Sequence, residues 1–175
     1  MLVAEYSNSI SEDNWFRVQN FLINAITTIG DDADLGDDDR LGLILFSSQS
    51  QIAISLESSL SKVDLVQVVG ELSQDDSGFD DDAVQQALSD ATSELRLHSG
   101  RDSTVIILKY SPFSSGNQRS SFRQRLYELM DRQITIIVIG KNIRKNSNNN
   151  KNKLPMPKRL LSIQHFFLFW YFTKM

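Results

Sequence analysis

The sequence predicts an α/β fold, a three-layer α/β/α sandwich on a mixed β-sheet, from three observations. Short apolar runs alternate along the chain with segments whose apolar residues recur at the three- and four-residue spacing of a helix face. Two of the runs, 103–108 and 134–140, are apolar almost throughout, which is typical of parallel strands covered on both faces. A short polar link at 47–50 joins two other runs into a predicted hairpin, so one edge strand should be antiparallel.

The predicted elements fill the first 140 residues. The strands are expected at 2–6, 40–46, 51–56, 103–108 and 134–140. Four helices are expected between the strands, each with one apolar face toward the core. In chain order, these faces consist of Trp15, Val18, Leu22, Ala25, Ile26 and Ile29 in the first helix; Leu65, Val66, Val69 and Leu72 in the second; Val84, Ala87, Leu88, Ala91 and Leu95 in the third; and Phe122, Leu126, Leu129 and Met130 in the fourth. The residues expected at their ends are Ser9 or Ser11, Ser61, the aspartates 80–82, and Ser120 or Ser121 as N-terminal caps, with a glycine cap after His98.

The distribution of charge divides the chain near residue 140. Residues 1–140 contain all 22 acidic and 10 of the 18 basic residues, whereas residues 141–175 contain 8 basic residues and no acid. We therefore expect one domain at 1–140, an Asn/Lys-rich, disordered linker at 141–159, and an aromatic hydrophobic tail at 160–175. Six aspartates within 31–39 lack the ligand spacing of a calcium loop and predict a solvated connection.

The tail leaves two interpretations open. Its apolar stretch, 160–172, is interrupted by Ser162, Gln164 and His165 and is shorter than the roughly 20 residues that span a bilayer. Its aromatic residues and the basic pair before it would suit an interfacial membrane anchor. Alternatively, the tail is a non-native or alternatively spliced end. At the other terminus, the first residues show no secretory signal, because they lack a basic region and a long apolar run.

A group of oxygen-bearing side chains follows the first predicted strand. Glu5, Ser7 and Ser9 stand at alternate positions where the strand is expected to turn into the first helix. Oxygen ligands of this kind bind hard cations such as Mg²⁺, so the segment is a candidate cation site at the rim of the sheet. Ser9 has an alternative role as a helix cap, in a capping box with Glu12.

The order of the elements and several motifs resemble a von Willebrand factor type A domain over residues 3–140. The motifs are Glu5-x-Ser7-x-Ser9, similar to the family's Asp-x-Ser-x-Ser; 40–47, similar to its second strand; 78–88, similar to its threonine-bearing loop and the following helix; 105–111, similar to the strand that normally ends in Thr-Asp-Gly; and 134–140, similar to the next strand. The resemblance implies a doubly wound, Rossmann-like, mostly parallel sheet with a metal-ion-dependent adhesion site at the carboxyl ends of the strands. The family's last strand and last helix show no counterpart after Gly140.

The resemblance also assigns the ligand positions of that site. Ser7 and Ser9 match the family, Glu5 replaces an aspartate, Asp80 is the oxygen ligand nearest the threonine position, and Tyr110, beside Lys109, stands where the second aspartate is expected. A phenol with a pKa near 10 is a poor ligand for Mg²⁺, and an adjacent ammonium group repels the ion. The resemblance therefore implies a degenerate site, with Glu5, Ser7, Ser9 and Asp80 as the remaining ligands and with its affinity for Mg²⁺ weakened or lost.

By resemblance, the chain is a non-enzymatic protein-interaction or adhesion domain of an extracellular matrix or cell-adhesion protein, with a protein ligand such as collagen at the rim. A cytoplasmic location is the alternative. The residues themselves argue against catalysis, because the chain has no cysteine and no Ser/His/Asp set, phosphate loop or zinc spacing. The acidic body argues against nucleic-acid binding. Two other functions stay open: Mg²⁺-dependent ligand binding, and membrane association through the basic and aromatic tail.

Overall fold

The structure is a computed structural model that describes residues 1–29, 39–97 and 102–140 together with the backbone of residues 160–163. The described strands are β1 (Leu2–Glu5), β2 (Leu43–Phe46), β3 (Ser50–Ile54), β4 (Thr104–Lys109), β5 (Thr135–Gly140) and β6 (Leu160–Ile163). The described helices are α1 (Glu12–Thr28), α2 (Lys62–Glu71), α3 (Asp81–Leu97) and α4 (Gly116–Asp131). Each predicted strand and helix of the first 140 residues has a counterpart, although β2 begins three residues later than expected.

All six strands belong to one sheet in the order β3-β2-β1-β4-β5-β6. β1 lies between β2 and β4 and is parallel to both, and the pair β2–β3 is antiparallel while the other described pairs are parallel. From β1 the chain extends the sheet outward to β3 and then returns to continue it at β4 on the other side. The predicted doubly wound, mostly parallel sheet with an antiparallel edge strand is therefore confirmed.

The core consists of two apolar clusters, one on each face of the sheet. Alternate side chains of a strand point to opposite faces, so Leu2 and Ala4 of β1 belong to the cluster under α1 and α2. Val3 belongs to the other cluster, under α3 and α4. This arrangement confirms the three-layer sandwich. It also fixes the direction of the last residue of β1, Glu5, which alternates with Ala4 and follows Val3 toward α3 and α4.

The structure selects one of the two predicted caps of α1 and contradicts the predicted cap of α4. α1 is capped by Ser11, whose hydroxyl oxygen accepts a hydrogen bond from the Asn14 N–H at 3.4 Å, and Ser9 takes no part in this cap. α4 begins after Ser115, whose hydroxyl oxygen accepts from the backbone N–H three residues later at 3.2 Å. Ser120 lies inside the helix and donates to a backbone carbonyl one turn earlier, so the prediction of a cap at Ser120 or Ser121 was wrong. The sequence signal failed because two pairs of serines, 114–115 and 120–121, lie close together in sequence, and each serine can cap a helix.

The far end of the sheet also differs from expectation. No last strand is expected after Gly140 from the sequence, but Leu160–Ile163 forms β6 and pairs in parallel with β5. Without it, β5 would present a row of unpaired N–H and C=O groups at the sheet edge, which a short apolar segment of good β-propensity can pair. The predictions for residues 31–38, for the cap after residue 97, for the linker and for the tail beyond residue 163 lie outside the described residues. Within the described part of the chain, no helix combines the length and apolarity needed to cross a membrane.

Candidate functional site at the carboxyl ends of the strands

Three parallel strands, β1, β2 and β4, end at the same edge of the sheet. The connections at this edge form a surface that we call the rim, defined as residues 5–11, 46–49, 74–82 and 109–115. Backbone hydrogen bonds join its loops: the Asp75 N–H donates to the Tyr6 carbonyl at 2.8 Å, and the Asn8 N–H donates to the Ser77 carbonyl at 3.0 Å. Backbone hydrogen bonds therefore connect the loop after β1 to the loop before α3.

Glu5 lies inside the rim with its side chain fully buried. Its Oε1 accepts hydrogen bonds from the hydroxyl groups of Ser7, at 2.9 Å, and of Ser111. Its Oε2 accepts from the backbone N–H groups of Tyr110 and Ser111, each at 2.8 Å. A carboxylate offers about four acceptor positions, so donors of the protein occupy its full capacity. Glu5 thereby joins the end of β1 to the loop that follows β4.

Lys109, the last residue of β4, is the basic residue of this site and is only 2% exposed. Its Nζ donates a hydrogen bond to the Ser111 carbonyl. The same atom lies 3.7 Å from the ring centroid of Phe79 and 4.2 Å from that of Phe113, which are cation–π distances. The ammonium group is thus enclosed by one carbonyl and two aromatic rings.

Two acidic side chains lie near this ammonium group, Glu5 from the sheet and Asp81 from the helix layer beside it. Burial lowers the pKa of Lys109 to about 8, and the negative charges of Glu5 and Asp81 act in the opposite direction. Asp81, the first residue of α3, is 5% exposed, and its Oδ2 accepts from the N–H of Ser114 at 2.8 Å and from the Ser114 hydroxyl. Its Oδ1 is buried and has no hydrogen-bond partner among the described residues, which is uncommon for a buried carboxylate.

Ser9 and Asp80 lie near each other on the exposed side of the rim. The Ser9 hydroxyl oxygen accepts a hydrogen bond from the Phe79 N–H at 3.0 Å. Asp80 precedes α3 and caps it, because its Oδ1 accepts from the Asp82 N–H at 2.8 Å. Its own N–H donates to the carbonyl of Ser47 at 2.8 Å. The structure therefore brings two of the predicted ligands into adjacent loops, where they organise backbone.

Tyr110 contributes to the site through its backbone. Its N–H donates to Glu5, whereas its side chain packs against the cluster under α1 and α2, on the other face of the sheet from Val3. Burial raises the pKa of the Tyr110 phenol to about 12; the nearby charge of Arg17 lowers it and that of Glu5 raises it. The phenol is therefore neutral over the physiological pH range.

Several residues of the rim were missed in the sequence analysis. The Ser47 hydroxyl donates to Asp75 Oδ2, and this bond is the main reason that the pKa of Asp75 is lowered. Asp81, Ser111 and the enclosure of Lys109 were likewise not predicted. Strand alternation gives a signal for Lys109, because it follows Ile107 by two residues and must point to the same buried face. The bond between Ser47 and Asp75 has no local sequence signal.

The described residues contain no group of three or more His, Cys, Asp or Glu side chains arranged to hold a metal ion. Two of the four predicted ligands, Glu5 and Ser7, are buried and bonded to each other, and Ser9 and Asp80 each accept a backbone N–H. Metal coordination by these four residues stays a prediction.

Comparisons with known proteins agree on the fold. A profile of the von Willebrand factor type A domain matches residues 1–168. Similar solved structures include proximal thread matrix protein 1 from the mussel byssus with a zinc-occupied MIDAS motif, at 18% identity and a TM-score of 0.60, covering 79% of this chain and 34% of that one. Another is the manganese-loaded TRAP protein of Plasmodium vivax, at 22% identity and a TM-score of 0.61, covering 93% of this chain and 66% of that one. A comparison with curated protein sequences gave no match.

A third similar structure is a von Willebrand factor type A protein from Catenulispora acidiphila, at 11% identity and a TM-score of 0.60, covering 79% of this chain and 32% of that one. This chain therefore spans about a third of the mussel and bacterial proteins and about two thirds of the Plasmodium protein. The profile match covers nearly the whole sequence, and the central parallel sheet has the expected strand order. The chain belongs to the von Willebrand factor type A domain family, whose members are generally protein-binding and adhesion domains and typically not enzymes.

Proposed function

We propose that this chain is a non-enzymatic adhesion or protein-interaction domain that binds a protein ligand at the rim. The observation that carries the proposal is the connected rim, in which the buried Glu5 carboxylate links β1 to the loop after β4 through four hydrogen bonds. Loops held in this way lose little conformational freedom on binding, and preorganisation of this kind favours association. Family membership supports a protein as the ligand.

The proposal includes a place in an extracellular matrix or at a cell surface. One similar structure comes from a thread matrix protein of the mussel byssus, and a matrix protein such as collagen is therefore the first ligand class to test. A cytoplasmic location with another protein ligand is the alternative. The proposed binding has a weakened requirement for divalent metal or none, because Glu5 is saturated by protein donors and a buried ammonium group lies in the same site.

A second candidate function is Mg²⁺-dependent ligand binding through Glu5, Ser7, Ser9 and Asp80. It is favoured by the metal-occupied relatives, one with zinc and one with manganese. The two candidates differ in their response to chelation. Loss of ligand binding in EDTA, with recovery on addition of Mg²⁺, would support the second candidate over the first.

Two glycines provide a matched test of the binding surface. A Cβ atom added at Gly78, in the rim, would meet no atom within 4 Å, and the same holds for Gly70 in α2. Gly78→Trp therefore places a bulky side chain on the rim without disturbing the core, and Gly70→Trp makes the same change elsewhere.

Binding to immobilised collagen and other matrix proteins is measured for both variants. We expect at least about a tenfold loss of affinity for Gly78→Trp alone, as for a blocked interface. Equal affinities of the two variants would contradict binding at the rim.

A further inference from the structure

We propose that the Lys109 ammonium group is a built-in cation of the rim, which takes the place of a divalent ion and excludes one. The inference concerns the same rim as the proposed function, but it needs no protein ligand and is tested with metal ions alone. If the inference fails, the proposed binding of a protein at the rim still stands, and only its weakened metal requirement is lost. Its basis is the position of Lys109, the character of the atoms around it, and the charge balance of the buried carboxylates.

The register of the sheet brings Lys109 beside Glu5. β1 and β4 pair in parallel with Ala4 opposite Leu108, so the next step along both strands places Glu5 and Lys109 side by side. Both side chains point to the face covered by α3 and α4, because Val3 and Ile107, two residues earlier in each strand, belong to that cluster. Opposite charges are thus placed next to each other at the ends of two central strands.

The atoms around the Lys109 Nζ suit an ammonium group and do not suit a divalent ion. One carbonyl oxygen, that of Ser111, accepts from it, and the rings of Phe79 and Phe113 enclose it at 3.7 and 4.2 Å. Aromatic faces stabilise organic cations, whereas Mg²⁺ requires near-octahedral coordination by about six oxygens. The Glu5 oxygens already accept four hydrogen bonds, so binding an ion there would displace a protein donor.

The charges of the buried side chains give a second reason why a divalent ion is excluded. Glu5 and Asp81 are buried acids and Lys109 is the buried base whose charge they stabilise. A divalent ion in the same space would lie close to the ammonium group in a region of low dielectric constant, where like charges repel strongly. Removing the ammonium group would instead favour the binding of a divalent ion. The Ser111 carbonyl would lose its donor, Asp81 Oδ1 has no donor within the described part of the chain, and two carboxylates would be left without their cation.

The experiment measures Mn²⁺ binding to the full 175-residue chain by the loss of the electron paramagnetic resonance signal of the free ion. The variants are Lys109→Gln, whose amide can still donate to the Ser111 carbonyl, and Lys109→Met, which keeps the apolar stem. Lys62→Met is the control, since Lys62 is 5% exposed at the start of α2 and lies about 15 Å from the helix end nearest the rim. Glu5→Gln identifies binding at the rim, as opposed to binding elsewhere in the chain.

We expect that the wild-type chain has no Glu5-dependent Mn²⁺ site with a Kd below about 1 mM. Lys109→Gln or Lys109→Met should gain one site that binds at least about tenfold more tightly, and the added Glu5→Gln change should abolish it. Millimolar Mn²⁺ should also raise the Tm of the Lys109 variants by about 3 °C and leave those of the wild-type chain and Lys62→Met unchanged. A wild-type Mn²⁺ site that disappears in Glu5→Gln would overturn the proposal. So would a folded Lys109 variant that gains no site, and the wild-type measurement decides the first point even if neither variant folds.

Discussion

Replacement of Glu5 by Gln tests the role of the buried carboxylate in joining the rim. The side chain is fully buried and accepts four hydrogen bonds, from two hydroxyl groups and from the N–H groups of Tyr110 and Ser111. Glutamine has nearly the same shape and keeps one acceptor oxygen for the two N–H groups, and the hydroxyls can rotate to accept from its amide. Each N–H bond then changes from charge-assisted to neutral, at a cost of about 1 kcal/mol each.

A further cost comes from Lys109, which loses the negative charge beside it while it stays buried. Adding the weaker bonds and the ammonium group that retains only Asp81 as a neighbouring negative charge gives an expected loss of about 3 kcal/mol in the free energy of unfolding. The assay is urea denaturation followed by circular dichroism at pH 7, where the midpoint should fall without a change in the m-value. Glu12→Gln, in the exposed first turn of α1, is the control and should cost less than about 1 kcal/mol. A loss below about 1 kcal/mol for Glu5→Gln would refute the proposed role of the carboxylate.

Three other predictions concern pH and capping. The pKa of Lys109 is about 8 in the folded chain against 10.5 as the ordinary value, so the unfolded chain holds more protons between these pH values. The stability of the wild-type chain relative to Lys109→Gln should therefore rise by up to about 3 kcal/mol from pH 8 to pH 10.5, and a flat difference in urea titrations would contradict this. The pKa of Asp75 is lowered, chiefly by the Ser47 hydroxyl, so the stabilising effect of its carboxylate is present above pH 3.8 and is lost as the pH falls below that value. In thermal melts, the Tm of Asp75→Asn should therefore fall less on acidification than that of the wild-type chain. Ser61→Ala removes the capping box of α2 and should cost about 1 kcal/mol in urea, whereas Ser58→Ala, outside any helix, should cost far less.

The order and type of the elements could be predicted because each depends on local periodicity. The apolar runs that became β4 and β5 lie in the centre of the sheet, and the polar link before β3 produced the expected antiparallel edge. Helix beginnings were harder to predict: the serine pairs 114–115 and 120–121 both offer a cap for α4, and the structure has Ser115. β6 was missed because its four residues begin a longer apolar and aromatic stretch, 160–172, which has no strand periodicity and was interpreted as a tail.

The candidate site could be predicted only in part. Alternation after β1 identified Glu5, Ser7 and Ser9 as residues of the rim, and the structure places them there. Their partners come from distant segments: Tyr110 and Ser111 lie more than 100 residues away from Glu5 in sequence. From the sequence, Lys109 is expected only to repel a metal ion by its charge. Its enclosure by Phe79 and Phe113 depends on a loop conformation that no local pattern specifies.

The sequence separation within the Glu5 cluster has a consequence for how the chain folds. β1 can pair with β2 after about 45 residues have been made, but three of the four hydrogen bonds to the Glu5 carboxylate come from Tyr110 and Ser111, 105 and 106 residues further along the chain. Until they arrive, water must solvate the carboxylate, because burying it without partners is costly. Closing a loop of this length is slow relative to local pairing, so the end of β1 should be among the last parts of the sheet to become protected from hydrogen exchange during refolding. A nascent chain that has not been synthesised as far as residue 111 therefore has an incomplete sheet and no rim. The site forms only when the central strands pair.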